Sequence, residues 1–324
     1  MGEAATDMSD INRQNKKNGN RLLSPFVFRK NMELCCDNGG KELTQGAFLK
    51  LERGEVINSE DRAVILALLN TGYATRRTLN IILGEDKDCK KSLSKLVRNN
   101  VVMKYHYVFE NDGFKSETVC FYALSGAAKK VSLIGFRNTV SESVNRIIRG
   151  GAVTFDDITT APVKVLRTLE LNNFDASFMR DYSEKIEKKY CGYTFKNGEN
   201  TYKQQYMYKV SRKEDNDFVN NLMIIPVCIR RNAGWRKELF SILSHIQSSM
   251  NKDFKGVSPV FVVNTEDNYM ACEAEQGRSG YPVLNTCAIF YISDWTVNNS
   301  PILDNLVHVT NAAREAFDIL SLNM

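Results

Sequence analysis

The stretch D-K-D-C-K-K-S-L-S-K-L-V-R-N, from Asp86 to Asn99, decides how this chain is read. At about 100° per residue, taking Lys87 as origin puts Lys90, Lys91, Ser94, Lys95 and Arg98 within about 80° of one helix face. Cys89, Leu93 and Leu96 fall on the far side, at about 180–240°, with Val97 at its margin. The spacing therefore predicts a helix that buries one face and carries cations on the other. Like charges four residues apart, as in Lys87–Lys91–Lys95, repel and weaken a helix by a few tenths of a kcal/mol per pair. An anionic partner explains a stripe that accepts this repulsion; the plain alternative is a solvated face.

Upstream, Ser59 is placed to cap a helix, with Glu60 and Asp61 in its first turn. Val64, Ile65, Leu68 and Leu69 follow at helical spacing, and Gly72 ends it. Thr75 caps a second, shorter helix with Leu79, Ile82 and Leu83 apolar and Gly84 at its end. Arg76 and Arg77, in its first turn, suit phosphate contacts near the positive dipole end. Downstream, Val101–Val108 reads as a strand, Glu110-Asn111-Asp112-Gly113 as a turn, and Thr118–Leu124 as the returning strand. A further helix opens at Ser125-Gly126-Ala127-Ala128-Lys129-Lys130. Three helices and a hairpin, in that order, are the winged helix-turn-helix pattern, whose third helix enters the DNA major groove while the wing meets the backbone. Lys90, Lys91, Ser94 and Lys95 are expected to probe the groove, with Lys87 on the same face. Arg76, Arg77 and Arg98, together with Lys104 and Lys115 on or near the wing beside Tyr105 and His106, are expected to hold phosphates.

Four stretches carry a resemblance: R-A-V-I-L-A-L-L (Arg62–Leu69), Y-A-T-R-R-T-L (Tyr73–Leu79), K-S-L-S-K-L-V-R-N-N-V-V (Lys91–Val102) and F-Y-A-L-S-G-A-A-K-K-V (Phe121–Val131). Over residues 58–150 the chain resembles the replication-relaxation family, winged-helix DNA-binding proteins of plasmids and conjugative elements. Asn138–Arg149 is similar to that family's next helix. The resemblance implies duplex DNA as partner, with relaxase or replication proteins as further partners and a role in plasmid replication, conjugative transfer or transcription control.

The remainder reads as a second domain. Helices are expected at Ala161–Asn172 and Trp235–Met250, a charged segment at Asp181–Lys189, and strands near Tyr202–Ser211, Asn221–Arg231, Pro259–Val263 and Cys287–Ile292. One more helix is expected after Thr265. This α/β order resembles the restriction-endonuclease-like domain that some members of that family carry. There, an Asp and a Glu/Asp-x-Lys set on adjoining strands hold a divalent metal. Here the corresponding strands read Y-M-Y-K-V and L-M-I-I-P-V-C-I-R-R, without those carboxylates. A degenerate, non-catalytic domain for assembly or partner binding is the expectation. Pro226 sits awkwardly in a central strand. The ribbon Tyr190–Tyr208, with an N-G turn at Asn197-Gly198, interleaves Lys with Tyr; it reads as half-buried, with stacking on single strands as the alternative.

Composition supports this division. The chain has 324 residues, 43% hydrophobic and 25% charged, enough for two cores. No apolar run reaches the ~18–20 residues that span a bilayer, and the polar start is no signal peptide, so neither a membrane nor a secreted protein is expected. The net charge is only +5, yet residues 1–150 hold 24 basic and 17 acidic residues (+7) while residues 151–324 hold 19 and 21 (−2). The basic half is the one that suits a polyanion. Eight scattered cysteines without a C-x-x-C pair, and three distant histidines, argue for free thiols in a reducing cytosol and against zinc. His245, beside the stripe Leu239, Ile242, Leu243 and Ile246, reads as a core histidine, and Trp235 and Trp295 as core anchors. His308 has no nearby carboxylate at a telling spacing.

The expectation is therefore an α+β protein. Its parts are a flexible basic arm (1–40), a winged helix (41–136) and a non-catalytic α/β domain (137–324). It would be a cytoplasmic duplex-DNA-binding accessory or regulatory protein of a mobile element, with no enzymatic activity, cofactor or metal, and with homodimerisation open. Two alternatives stand beside it. One is a metal-dependent nuclease using Glu214, Asp215, Asp217, Glu266 or Asp267; the other is a winged helix that binds protein.

Overall fold

The computed structural model describes residues 26, 31–39, 43–84, 88–111, 114–117, 119–135, 162–197, 200–213, 219–227, 235–248, 254–263, 288–292, 297, 301–309 and 314–317. The protein mixes helix and sheet. Its first part runs β1 (Glu33–Cys36), α1 (Gln45–Arg53), α2 (Ser59–Thr71), β2 (Ala74–Thr75), α3 (Arg76–Leu83), α4 (Lys90–Arg98), β3 (Val102–Asn111), β4 (Phe114–Glu117), β5 (Phe121–Leu124) and α5 (Gly126–Gly135).

Local chemistry accounts for the helix ends. Thr44 caps α1 by accepting from the Ala47 amide at 3.2 Å. At α2 the cap is Asn58 and not Ser59: its side chain accepts from the Asp61 amide at 2.9 Å while Asp61 accepts from the Asn58 amide at 3.0 Å, a reciprocal capping box. Thr75 caps α3 as its sequence predicts, through the Thr78 amide at 3.1 Å. Gly72, at φ +73°, ends α2. The apolar faces of α2, α3 and α4 meet over Ile65, Leu68, Leu79, Leu93 and Leu96, joined by Phe48 of α1. Ile82 departs from its expected burial and is exposed.

Strand order in the first sheet is β1-β3-β5-β2, with β4 also on β3. Alternation along β3 sends Val102 to the helical core and Met103, Tyr105 and Tyr107 to the other face. Of the expected strand Thr118–Leu124, Phe121–Leu124 forms β5, and a separate strand, β4, precedes it. β4 pairs Glu117 with Val108, and β5 pairs Phe121 with Tyr105, so four chain steps oppose three on β3. β4 is the outer limb of the hairpin. The expected flexible arm is corrected only near its end: Glu33–Cys36 pairs antiparallel with Tyr105–Val108, and Phe26 is buried in the core beneath, while residues 1–25 and 27–30 lie outside the described residues.

The second part begins with α6 (Pro162–Tyr182), ten residues longer than its predicted end at Asn172. A 3-10 turn (Ser183–Lys185) leads into β6 (Ile186–Asn197), so the predicted charged segment Asp181–Lys189 is a helix end and a strand start. Then follow β7 (Asn200–Lys213), β8 (Val219–Val227), α7 (Trp235–Ser248), β9 (Val257–Val263), β10 (Ala288–Tyr291), a 3-10 turn (Leu303–Asn305), β11 (Leu306–Val309) and β12 (Arg314–Phe317). They form a seven-stranded sheet ordered β12-β11-β10-β9-β8-β7-β6. β8, β9 and β10 run parallel and the remaining pairs antiparallel. One face packs on α7 through Met223, Ile225, Leu239, Ile242, Leu243 and Phe261. The other packs on the C-terminal turns of α6 through Phe174, Phe178, Tyr208 and Ile224. β11 and β12 exceed the expected strand count. The helices expected at Asn138–Arg149 and after Thr265 lie outside the described residues, as do Trp295 and the side chain of Trp235.

Two local irregularities are informative. Along β6, Tyr190, Tyr193 and Phe195 all face α7, which strict alternation forbids. Gly192 between them has φ +62°, and no pair joins it to Gln205, so the alternation reverses there. Pro226 does lie in central β8, where it forms a register pair with Val262 of β9. Its ladder to β7 stops earlier, at Tyr208–Ile224. The Gln204 amide bridges the gap, donating to the carbonyls of Pro226 at 2.7 Å and Tyr206 at 3.1 Å.

Candidate nucleic-acid interface

The helix predicted over Asp86–Asn99 is α4, beginning at Lys90; Lys87 lies outside the described residues. Cys89, Leu93 and Leu96 are buried and Val97 half-buried, while Lys90, Lys91, Ser94 and Arg98 are exposed. Burial thus follows the predicted division, except that Ser92 is also buried. The start of α4 is held from both sides. Asn80 of α3 accepts from the Cys89 amide at 3.1 Å, and Asp88 accepts from the Lys90 amide at 3.0 Å. Burial pushes the Cys89 thiol up to about 11, with Asp88 adding to the rise, so it stays protonated at neutral pH.

Lys95 differs from its neighbours. Its Nζ lies 2.5 Å from Oδ2 of Asp61, a carboxylate only 1% exposed on α2, and its own side chain is 36% exposed. It therefore works inward as the counter-ion of a buried charge, which corrects its expected place among the groove-facing cations. Lys104 is corrected as well. It sits on the inner part of β3, across from Tyr122 of β5 and away from the β3–β4 hairpin, and it is ion-paired with Asp37. The bond to that carboxylate holds the Lys104 ammonium above the ordinary lysine value. Tyr105 is core, and His106 Nδ1 lies 3.2 Å from the same Asp37.

The remaining residues expected to contact phosphates lie on α3 and β4. Arg76 and Arg77 are exposed in the first turn of α3. Lys115 lies on β4 across from Glu110, in the outer limb of the hairpin. Among the described residues, the exposed cations of this surface are Lys90, Lys91 and Arg98 on α4 and Arg76 and Arg77 in the first turn of α3.

Sequence reasoning missed the residues that brace the surface. Asn38, in the turn after β1, donates to the carbonyls of Val97 at 2.9 Å and Val102 at 3.0 Å, and accepts from the Lys104 amide at 3.0 Å. One side chain thereby ties the last turn of α4 to the first residues of β3. The only signal was the turn-forming run Asp37-Asn38-Gly39-Gly40, which directly follows the short apolar group Leu34-Cys35-Cys36.

Glu214, Asp215, Asp217, Glu266 and Asp267, the carboxylates of the nuclease alternative, lie outside the described residues. Among the described residues, no three His, Cys, Asp or Glu side chains converge to hold a metal ion. His245 lies 3.3 Å from the Tyr193 hydroxyl, among the rings of Tyr193, Phe195 and Phe254, as a core histidine would. No helix of the described residues is long and apolar enough to cross a membrane. Comparison of the chain with protein-family models, curated proteins and solved structures finds no match.

Proposed function

We propose that residues 43–135 are a winged helix-turn-helix that binds double-stranded DNA, with α4 in the major groove and the β3–β4 hairpin as the wing. The observation that carries this reading is the surface of α4: Lys90, Lys91, Ser94 and Arg98 stand exposed opposite buried Cys89, Leu93 and Leu96. Lys and Arg reach base edges and phosphates, and Ser94 adds a hydroxyl between them. Arg76 and Arg77 at the head of α3 supply phosphate contacts beside it. The chain acts as an accessory or regulatory factor of replication, transfer or transcription on a mobile element, in keeping with the resemblance to the replication-relaxation family. The seven-stranded part serves assembly or partner binding, as a degenerate relative of restriction-endonuclease-like domains, without catalysis of its own.

Lys90→Ala/Lys91→Ala is the decisive variant, since neither lysine is engaged by a described carboxylate, whereas truncating Lys95 would strand Asp61. Anisotropy titrations of duplex DNA at several salt concentrations should show weaker binding and a salt slope lower by about two units. Equal affinity and slope for variant and parent would overturn the reading. Nicking of supercoiled plasmid with Mg²⁺, abolished by chelation, would favour the nuclease.

A further inference from the structure

The near-balance of charge in residues 151–324 conceals a second division. Residues 183–213, the β6–β7 ribbon and the turn leading into it, hold eight basic and three acidic residues, a net of +5. The rest of that half is left with 11 basic and 18 acidic, a net of −7. Near the ribbon's base two cations are matched: Lys189 lies 2.5 Å from Asp175 and Lys209 3.0 Å from Glu187. Two further lysines lie near the tip. Lys196 pairs in register with Thr201, and Thr194 with Lys203. Phe195 and Tyr202, between them, face the α7 side, so these four share the opposite face, and all four are exposed. Among the described residues no carboxylate pairs with Lys196 or Lys203.

The ribbon has a definite direction. Tyr208 donates to Asp175 of α6 at 2.7 Å. Nearer the tip, Tyr206 and Gln205 donate to Asn172 at 2.7 and 2.9 Å. Moving toward the tip thus means moving toward the N-terminus of α6. Those N-terminal turns, through Val165, Leu166 and Leu169, pack with Tyr105, Tyr107 and Phe121 of the first sheet. Five further residues at about 3.3 Å each carry the tip about 17 Å beyond Asn172, toward the part that bears α4.

We infer that the ribbon tip is a second contact for duplex DNA, gripping backbone phosphates with Lys196 and Lys203 beside the hydroxyls of Thr194 and Thr201. This rests on the duplex-binding reading of α4 and extends it to a bipartite grip. The ribbon's rings decide between double and single strands. Tyr190, Phe195, Tyr206 and Tyr208 are buried, and Tyr193 and Tyr202 pack on the α7 core, so no described ring is presented for base stacking. Phosphate contacts remain, and a continuous duplex offers them along its length.

The full chain and its Lys196→Gln/Lys203→Gln variant are titrated against random duplexes of about one and about four helical turns. Both substitutions are at exposed positions, so the thermal midpoint should not move. The expected result is unchanged binding of the short duplex and a salt slope on the long one lower by about two units. An unchanged slope on the long duplex overturns the ribbon contact while leaving α4's role standing. Absence of any duplex binding by the parent at low salt overturns both. If the substitutions abolish binding to phosphatidylserine vesicles but leave the DNA slope intact, the ribbon serves a membrane surface and the DNA contact is refuted.

Discussion

Asp61 sits under α4 with almost no exposure, and its Oδ2 accepts both the Asn58 amide and the Lys95 ammonium. Removing the lysine leaves a buried carboxylate with one hydrogen bond, a loss of about 3 kcal/mol. Lys91, exposed on the same helix, has no such partner among the described residues, and its truncation should change stability by no more than about 0.5 kcal/mol. Urea midpoints of Lys95→Ala and Lys91→Ala measure the contrast; equal midpoints would mean that the ion pair contributes nothing. The azimuth of Lys95 was legible from spacing, but its occupation was not. Its partner lies 34 residues earlier on another helix, and that of Lys104 lies 67 residues earlier. Periodicity reports the face a residue points to, and says nothing of which distant charge folds beneath that face.

Elements with strong internal signals were the readable ones. The cap at Thr75, the glycine stops and the apolar spacing of α2 and α4 all act within one or two turns of chain, so they survive in the sequence. Strands depend on neighbours that sequence does not display. β1, four residues long, forms because β3 offers it an edge and a buried face. Pro226 is tolerated because the β7 ladder has already ended and Gln204 covers the carbonyl. Gly192 marks a place where β6 reverses its alternation. With φ +62°, a Cβ there meets the left-handed penalty of roughly 1–2 kcal/mol. The Cβ would also lie 3.2 Å from the Lys203 side chain, whose flexible end can move away. Gly192→Ala should therefore cost about 1 kcal/mol by thermal melting, and no change in midpoint would show that the strand can restore its alternation.

At the scale of the molecule, α6 is the shared element. Its first turns bury Val165 and Leu169 against the first sheet, and its later turns bury Phe174 and Phe178 against the second. At the crossover, Asn172 donates to the Thr71 and Tyr73 carbonyls at 2.8 and 2.7 Å and accepts from Tyr206 and Gln205. Asn172→Leu keeps the volume and strands those groups, so it should cost about 3–5 kcal/mol. It should also split one calorimetric transition into two as the sheets lose their common node. A single transition at the parental midpoint would show that apolar packing alone joins them. The sequence by itself determined the order of helices and strands around α4, the face α4 buries and the uneven distribution of charge, because each of these is written in local spacing and composition. Only the tertiary structure decided which cations remain available, how α6 serves two cores and where the β6–β7 ribbon points. Those depend on ion pairs and hydrogen bonds between residues far apart along the chain, which exist only once it has folded.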